Sequence, residues 1–272
     1  LVKSIFYVTF FLELVGAMLL FPFIPETVGD IPQRMFYALF HAVSAFCNAG
    51  FSLFPNSLAV FSSSVGVMAI FCVLIIVGGL GFPVIFELYH RYVTHRKQRL
   101  KLQTKLVLYV TAALIMIGTL VLFLQSMITG QGDSSMMQAL FHAVSARTAG
   151  FSMGDMQQHT MASLWFVLFL MFIGASPGST GGGIKTTTLG VLIVALVSTI
   201  RGKDRIHIFG RHLPPKLMFK AITIITMALF ILFVAFFVLL NTESIPFFPL
   251  LFETFSAFAT VGYSLGVTGD LS

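Results

Sequence analysis

The chain has 272 residues, of which 57% are hydrophobic and only 10% charged, with a net charge of +6 and a mean hydropathy of +0.95. Soluble domains carry about 25% charged residues, so this composition excludes an ordinary water-soluble fold and points to a polytopic helical membrane protein. Cys47 and Cys72 form no CxxC or CxxH pattern, which argues against a disulfide framework or zinc site and leaves them as small apolar packing residues.

In chain order, apolar stretches run over 4–24, 64–88, 105–127, 160–200 and 217–240. A span needs roughly 20 residues to cross a hydrocarbon core of about 30 Å. Four stretches therefore predict one helix each. The stretch 160–200 would run about 60 Å as one helix. Its middle, Gly174-Ala175-Ser176-Pro177-Gly178-Ser179-Thr180-Gly181-Gly182-Gly183-Ile184-Lys185, predicts a break, because Pro removes a helix donor and Gly weakens a helix. The chain lacks a starting Met and reads as a fragment. Glu13 interrupts the first apolar run, against a cleaved signal peptide.

Twelve of the 16 basic residues fall in two short segments, 91–105 and 201–220. The positive-inside rule places both in the cytoplasm. The net charge then needs no nucleic acid, though these loops could touch anionic lipid or a cytosolic partner.

Three segments repeat. Phe40-His41-Ala42-Val43-Ser44-Ala45-Phe46-Cys47-Asn48-Ala49-Gly50-Phe51-Ser52 is matched by Phe141-His142-Ala143-Val144-Ser145-Ala146-Arg147-Thr148-Ala149-Gly150-Phe151-Ser152. The third copy is Phe252-Glu253-Thr254-Phe255-Ser256-Ala257-Phe258-Ala259-Thr260-Val261-Gly262-Tyr263-Ser264. Each copy follows an apolar span, which defines a span–re-entrant segment–span unit. The chain divides accordingly into 1–100, 101–210 with the Gly-rich loop 174–185, and an incomplete unit 211–272. Each copy opens with helix-start signals: Asp30 and Pro32, Asp133-Ser134-Ser135, and Pro246 with Pro249. A helix over 32–46 would span only about 22 Å, so each copy predicts a half-helix entering from outside. Its negative dipole end would face the membrane interior and favour a cation.

Each half-helix leads into an apolar–Gly–aromatic–Ser tetrad, at Ala49-Gly50-Phe51-Ser52, Ala149-Gly150-Phe151-Ser152 and Val261-Gly262-Tyr263-Ser264. Irregular backbone at membrane depth survives only when buried in protein or lining a water-filled path. Glycine admits positive φ, so carbonyls can turn toward one axis, and rings of carbonyls replace the hydration shell of K⁺. Thr260-Val261-Gly262-Tyr263 matches four letters of the TVGYG filter.

With these repeats and the Gly-rich break, the chain resembles the Trk/Ktr/HKT superfamily, and is most similar to its Ktr-type membrane subunit. The resemblance covers nearly the whole chain. It implies an all-α membrane protein in which four span–loop–span repeats surround one cation pore, about three of them present here. It implies that Asn48, Ala49, Gly50 and Phe51, then Thr148, Ala149, Gly150 and Phe151, then Thr260, Val261, Gly262 and Tyr263 are three walls of a K⁺ filter. It likewise implies that Gly174, Ala175, Ser176, Pro177, Gly178, Ser179, Thr180, Gly181, Gly182, Gly183 and Lys185 form an intramembrane gating loop. The function implied is passive K⁺ uptake by a pore-forming subunit in the plasma membrane, with the pore loops facing outward. Family members are homodimers, and the Ktr type sits on a cytosolic, nucleotide-binding KtrA-like ring. No tightly bound cofactor is expected; K⁺ is cargo, held by filter carbonyls, and nucleotide enters only through that partner. A sodium or mixed Na⁺/K⁺ transporter of the same fold stays open, because in some relatives Ser replaces Gly in the filter wall absent here.

Other motifs are weaker. Gly178 to Thr186 nearly matches a Walker A loop, but Ile184 separates Gly183 from Lys185 and no Walker B strand follows. Lys185 could place charge near the cation path or snorkel to the interface. Gly78-Gly79-Leu80-Gly81-Phe82-Pro83 predicts close helix packing or a kink rather than a dinucleotide site. His41 and His142 could sense pH or fix their half-helices by hydrogen bonds. Arg147 could repel ions if it faced the pore or bond behind the second filter, and Glu13 is a mid-span carboxylate that invites function or pairing. Neither HExxH, GxSxG nor a metal-spaced His/Cys pattern points to an enzyme, and no polar segment could house an ATPase.

Overall fold

The computed structural model describes residues 2–93, 99–202 and 207–271. Arg96, Lys97, Lys203 and Arg205, counted above among the basic residues, lie outside these.

Ten α-helices occur among the described residues: α1 (Val2–Leu20), α2 (Ile31–Phe46), α3 (Val65–Leu80), α4 (Phe82–Tyr92), α5 (Leu102–Thr129), α6 (Met136–Ser145), α7 (Met161–Phe172), α8 (Thr186–Ile200), α9 (Pro215–Thr242) and α10 (Phe247–Phe258). The architecture is all-α apart from a two-residue antiparallel ladder, β1 (His207–Ile208) with β2 (Arg211–His212). The helices α1, α5 and α9 are long and apolar enough to cross a membrane. On α9, Phe230, Phe233 and Phe237 are all more than half exposed, as suits a surface whose solvent is lipid.

The three short helices α2, α6 and α10 start where the sequence signals fall. The Asp30 carboxylate accepts from Gln33 N–H to cap α2, and Ser135 Oγ accepts from Gln138 N–H to cap α6. Pro246 precedes α10. Each packs beside the long helix before it, α2 on α1, α6 on α5 and α10 on α9.

The stretch 64–88 is not one span, contrary to the reading from hydropathy alone. It breaks at Gly81, and α4 turns 101° from α3. Gly81 takes φ 87°, open to glycine but costly for a side chain, and Pro83 opens the next helix. The Glu87 carboxylate then accepts from Lys101 N–H at 2.5 Å and from Thr104 Oγ1 at 2.6 Å. Thus α4 anchors the start of α5 instead of extending α3. Tight approach explains the preceding glycine: a Cβ on Gly78 would lie 1.8 Å from Phe46 O, at the end of α2.

The stretch 160–200 breaks as its composition predicts. The segment between α7 and α8 is irregular, and its backbone polar groups find partners inside the protein. Ala175 N–H donates to Gly182 O at 3.2 Å, Ser176 N–H to Gly79 O at 3.0 Å, and Phe82 N–H to Gly178 O at 3.1 Å.

Candidate functional site

The three Gly–aromatic tetrads share one unusual backbone. Asn48 and Gly50 take φ of 52° and 74°, Thr148 and Gly150 take 91° and 75°, and Thr260 and Gly262 take 56° and 91°. The residue between each pair is not at positive φ. Alternating the sign of φ turns successive carbonyls toward the same side of the strand, which a regular strand does not do. Positive φ is open to glycine but costs a β-branched residue such as Thr148 or Thr260 about 1–3 kcal/mol, a strain that persists only when surrounding structure enforces it.

The enforcing contacts repeat. Ala49 N–H donates to Ser44 O at 2.8 Å, Ala149 N–H to Ser145 O at 2.9 Å, and Val261 N–H to Ser256 O at 2.9 Å. Ser44 Oγ donates to Phe51 O at 2.9 Å and Ser145 Oγ to Phe151 O at 2.7 Å. In the third copy Ser256 Oγ instead accepts from Gly262 N–H at 3.1 Å. These serines escaped the sequence reading, although each stands four residues after the Phe that opens its copy. Tyr263 adds a tie between copies, donating its hydroxyl to Phe151 O at 3.0 Å.

The tetrads also touch in rotation. A Cβ on Gly50 would lie 2.3 Å from Ala149 O, and one on Gly150 would lie 1.8 Å from Val261 O. Each glycine lets the next copy's backbone close in. Gly262 faces no atom within 4 Å, while the Phe51 ring and the Phe36–Val43 side of α2 are exposed.

The residue after the Phe that opens each copy buttresses the end of its tetrad and the segment beyond it. His41 donates from Nδ1 to Tyr37 O at 2.7 Å, and its Nε2 accepts from Leu53 N–H at 3.3 Å. His142 donates from Nδ1 to the Asp133 carboxylate, and its Nε2 accepts from Met153 N–H at 3.3 Å. Glu253 accepts from Ser264 Oγ, and from Thr268 Oγ1 at 2.9 Å. Both histidines are buried, so they fix their half-helices as the hydrogen-bonding alternative expects. Beside His142 stands buried His159, outside the spans. Burial, and then the His142 imidazole, hold its pKa below the ordinary histidine value.

The Gly-rich loop lies against all three tetrads, through three consecutive residues. Thr180 Oγ1 accepts from Asn48 Nδ2 at 2.9 Å and stands 3.2 Å from Phe46 O. A Cβ on Gly181 would lie 2.1 Å from Thr148 Oγ1, and one on Gly182 would lie 2.2 Å from Thr260 Oγ1. Lys185 does not snorkel away: its ammonium donates to Gly181 O at 2.6 Å and to Gly182 O at 3.4 Å. Arg147 is buried behind the second tetrad and donates to Gly174 O at 3.3 Å. Ser176 Oγ and Thr186 Oγ1 close the loop's base at 3.0 Å. Pro177, Gly178, Ser179 and Gly183 complete the loop's turns, Gly178 and Gly183 at positive φ. Glu13 pairs with the Cys47 thiol at 3.7 Å, just beside the first tetrad. Asn48 Oδ1 and Thr148 Oγ1 are buried with no hydrogen-bond partner among the described residues. They leave oxygen ligands available between loop and tetrads.

The whole chain, residues 1–272, matches the TrkH cation transport protein family. The chain belongs to this family. It is 37% identical to the potassium/sodium uptake protein NtpJ of Enterococcus hirae, covering all of this chain and 62% of that protein. It is 36% identical to the Ktr system potassium uptake protein B of Bacillus subtilis, again over all of this chain and 62% of the relative. The chain thus spans 62% of the length of these two relatives. The crystal structure of the potassium transporter TrkH from Vibrio parahaemolyticus shares the fold at a TM-score of 0.78 and 20% identity, over 97% of this chain and 56% of that one. The relatives named are transporters, and the apolar helices make this a membrane protein.

Proposed function

We propose that this chain contributes three of four walls to the pore of a K⁺ uptake system, with backbone carbonyls of the tetrads as the selectivity filter and the Gly-rich loop as its gate. The observation that carries the reading is the φ alternation at 48 and 50, 148 and 150, and 260 and 262. Carbonyls so turned replace hydration oxygens around a dehydrated cation. The rotating contacts from Gly50 to Ala149 and from Gly150 to Val261 fit walls arranged around one axis. The open face of Gly262 and the exposed Phe51 fit a fourth wall between the third and the first, from the rest of the full-length protein. The half-helices α2, α6 and α10 end at the tetrads and bring their negative dipole ends to the ion.

The gate reading rests on Thr180, Gly181 and Gly182, which meet the three tetrads in order. With the loop seated there the path is narrowed. The Lys185 ammonium, tied to the loop's own carbonyls, opposes cation passage. Opening then means withdrawing this loop while the tetrads stay in place. The basic segments 91–105 and 201–220 face the cytoplasm and the tetrads face outward. The uncovered face of α9 meets lipid or a second copy in a homodimer. A KtrA-like nucleotide-binding ring would meet the basic side, a reading supported by relatives named as parts of a Ktr system. Catalysis is not part of this function.

Rubidium uptake into liposomes holding the complete polypeptide, with K⁺ or Na⁺ as competitor, tests the reading. Strong competition by K⁺ alone supports a K⁺ filter. Equal competition by Na⁺ supports the second reading, a mixed Na⁺/K⁺ pathway, which the name of the Enterococcus hirae relative favours. Competition by neither ion would overturn both.

A further inference from the structure

We propose that Asp133, His142 and His159 form a binding site for a zinc-type dication behind the second tetrad, and that metal taken there releases the tie between His142 and the segment after that tetrad. The three side chains are buried, and their donor atoms lie within 4.8 Å of one another. No other group of three His, Cys, Asp or Glu donors this close occurs among the described residues. They come from three places: the turn after α5, the last turn of α6, and the loop before α7. This is the end of α5 remote from the basic segment 91–105.

The buttress alone does not explain the cluster. His41 does the same work in the first copy with only the Tyr37 carbonyl behind it. The second copy replaces that carbonyl with a buried carboxylate and adds a second imidazole. Asp133 is 3% exposed, and its Oδ2 has no hydrogen-bond partner among the described residues. A buried carboxylate oxygen without a partner is costly unless a cation completes it. Gly132 makes room for the second imidazole, since a Cβ there would lie 2.8 Å from His159 Nδ1.

One carboxylate and two neutral imidazoles suit zinc and its first-row neighbours better than Mg²⁺ or Ca²⁺, which prefer oxygen ligands. Three protein donors leave a fourth tetrahedral position for water. Donors bound at about 2.0–2.1 Å to a tetrahedral ion stand roughly 3.4 Å apart. Separations of up to 4.8 Å close toward that value when the ion binds, and the Asp133–His142 contact opens to admit it.

That opening has a consequence. In the metal-free arrangement the His142 proton is on Nδ1, shared with Asp133, and Nε2 accepts from Met153 N–H. When the metal bonds to Nδ1, the proton leaves Nδ1 and Nε2 takes one up, so the ring remains neutral overall. Nε2–H can no longer accept from Met153, and the backbone three residues after Gly150 loses its tie. Zinc thereby reduces ion flux, a consequence that rests on the filter reading; the binding itself does not.

The test is zinc titration of the purified full-length protein against a chromogenic chelator, for wild type, His159→Gln and Asp133→Asn. One saturable site per chain is expected, weakened at least about tenfold by either substitution, the scale that even outer-shell partners reach. Asp133→Asn keeps an acceptor for His142, and His159→Gln leaves the buttress untouched, so one well-folded variant suffices. Absence of saturable binding to wild type, or binding indifferent to both substitutions, overturns the site. Rubidium uptake measured with and without zinc reads the consequence: inhibition in wild type but not in His159→Gln supports it, and unaltered uptake with the site filled overturns it. Failure of zinc-free uptake would count against the transport reading and leave the metal site standing on the titration.

Discussion

Replacing Gly150 with alanine tests the proposed filter geometry where the tetrads pack most tightly. The residue holds φ 75°, a left-handed conformation that costs an L side chain about 1–2 kcal/mol. The added Cβ would also lie 1.8 Å from Val261 O, and real contacts to Cβ almost never fall below about 3.0 Å. Relief therefore moves one of two backbones by roughly 1 Å, and such overpacking costs about 1–3 kcal/mol more. The displaced Val261 carbonyl is one of those read as an ion ligand. If half of this strain appears as misfit at the ion, discrimination changes by about five- to sixtyfold, since 1.4 kcal/mol is a factor of ten. The assay is rubidium uptake with K⁺ and Na⁺ competition in the full-length protein, with Gly154→Ala as control, because Gly154 is exposed with nothing near its Cβ. Wild-type flux and ion preference in folded Gly150→Ala would refute the assignment of the tetrads as filter.

Three further outcomes are expected. Thr180→Val removes the hydroxyl that bonds Asn48 and approaches Phe46 O; losing about 1–2 kcal/mol of loop docking should raise uptake several-fold under conditions where wild type is shut, with ion preference unchanged. Ser145→Ala removes one of the two side-chain donors to Phe151 O and leaves only the Tyr263 hydroxyl, and a thermal-denaturation assay should show destabilisation of about 0.5–1.5 kcal/mol, together with altered Rb⁺/Na⁺ competition. Gly78→Ala forces a Cβ to within 1.8 Å of Phe46 O and should lower the amount of folded protein recovered from membranes, as read by size-exclusion chromatography.

The parts of this architecture legible in the sequence are those with local causes. The half-helices announce themselves through Asp30, Ser135 and Pro246 and through lengths too short to cross. The break in 160–200 follows from one Pro among many Gly. The kink at Gly81-Phe82-Pro83 was readable, but its 101° size was not, because the angle depends on Glu87 anchoring the head of α5. Ser44, Ser145 and Ser256 were in view as matching letters, yet serine is common enough that only the hydrogen bonds give them meaning. Asp133 and His159 lie 9 and 17 residues from His142, on opposite sides of a tetrad, and only the closure of the loops brings them together. The order in which Thr180, Gly181 and Gly182 meet the three tetrads is likewise a tertiary fact.

The rotating glycine contacts have a consequence for how such a molecule is made. Gly50 is packed by a carbonyl about a hundred residues downstream, and Gly150 by one further on again. The packing of Gly50 and Gly150 against the next copy is completed only when those later segments arrive. During synthesis each of these two segments therefore emerges before the neighbour that packs against it. A ring of contacts of this kind is a late, collective product of biogenesis.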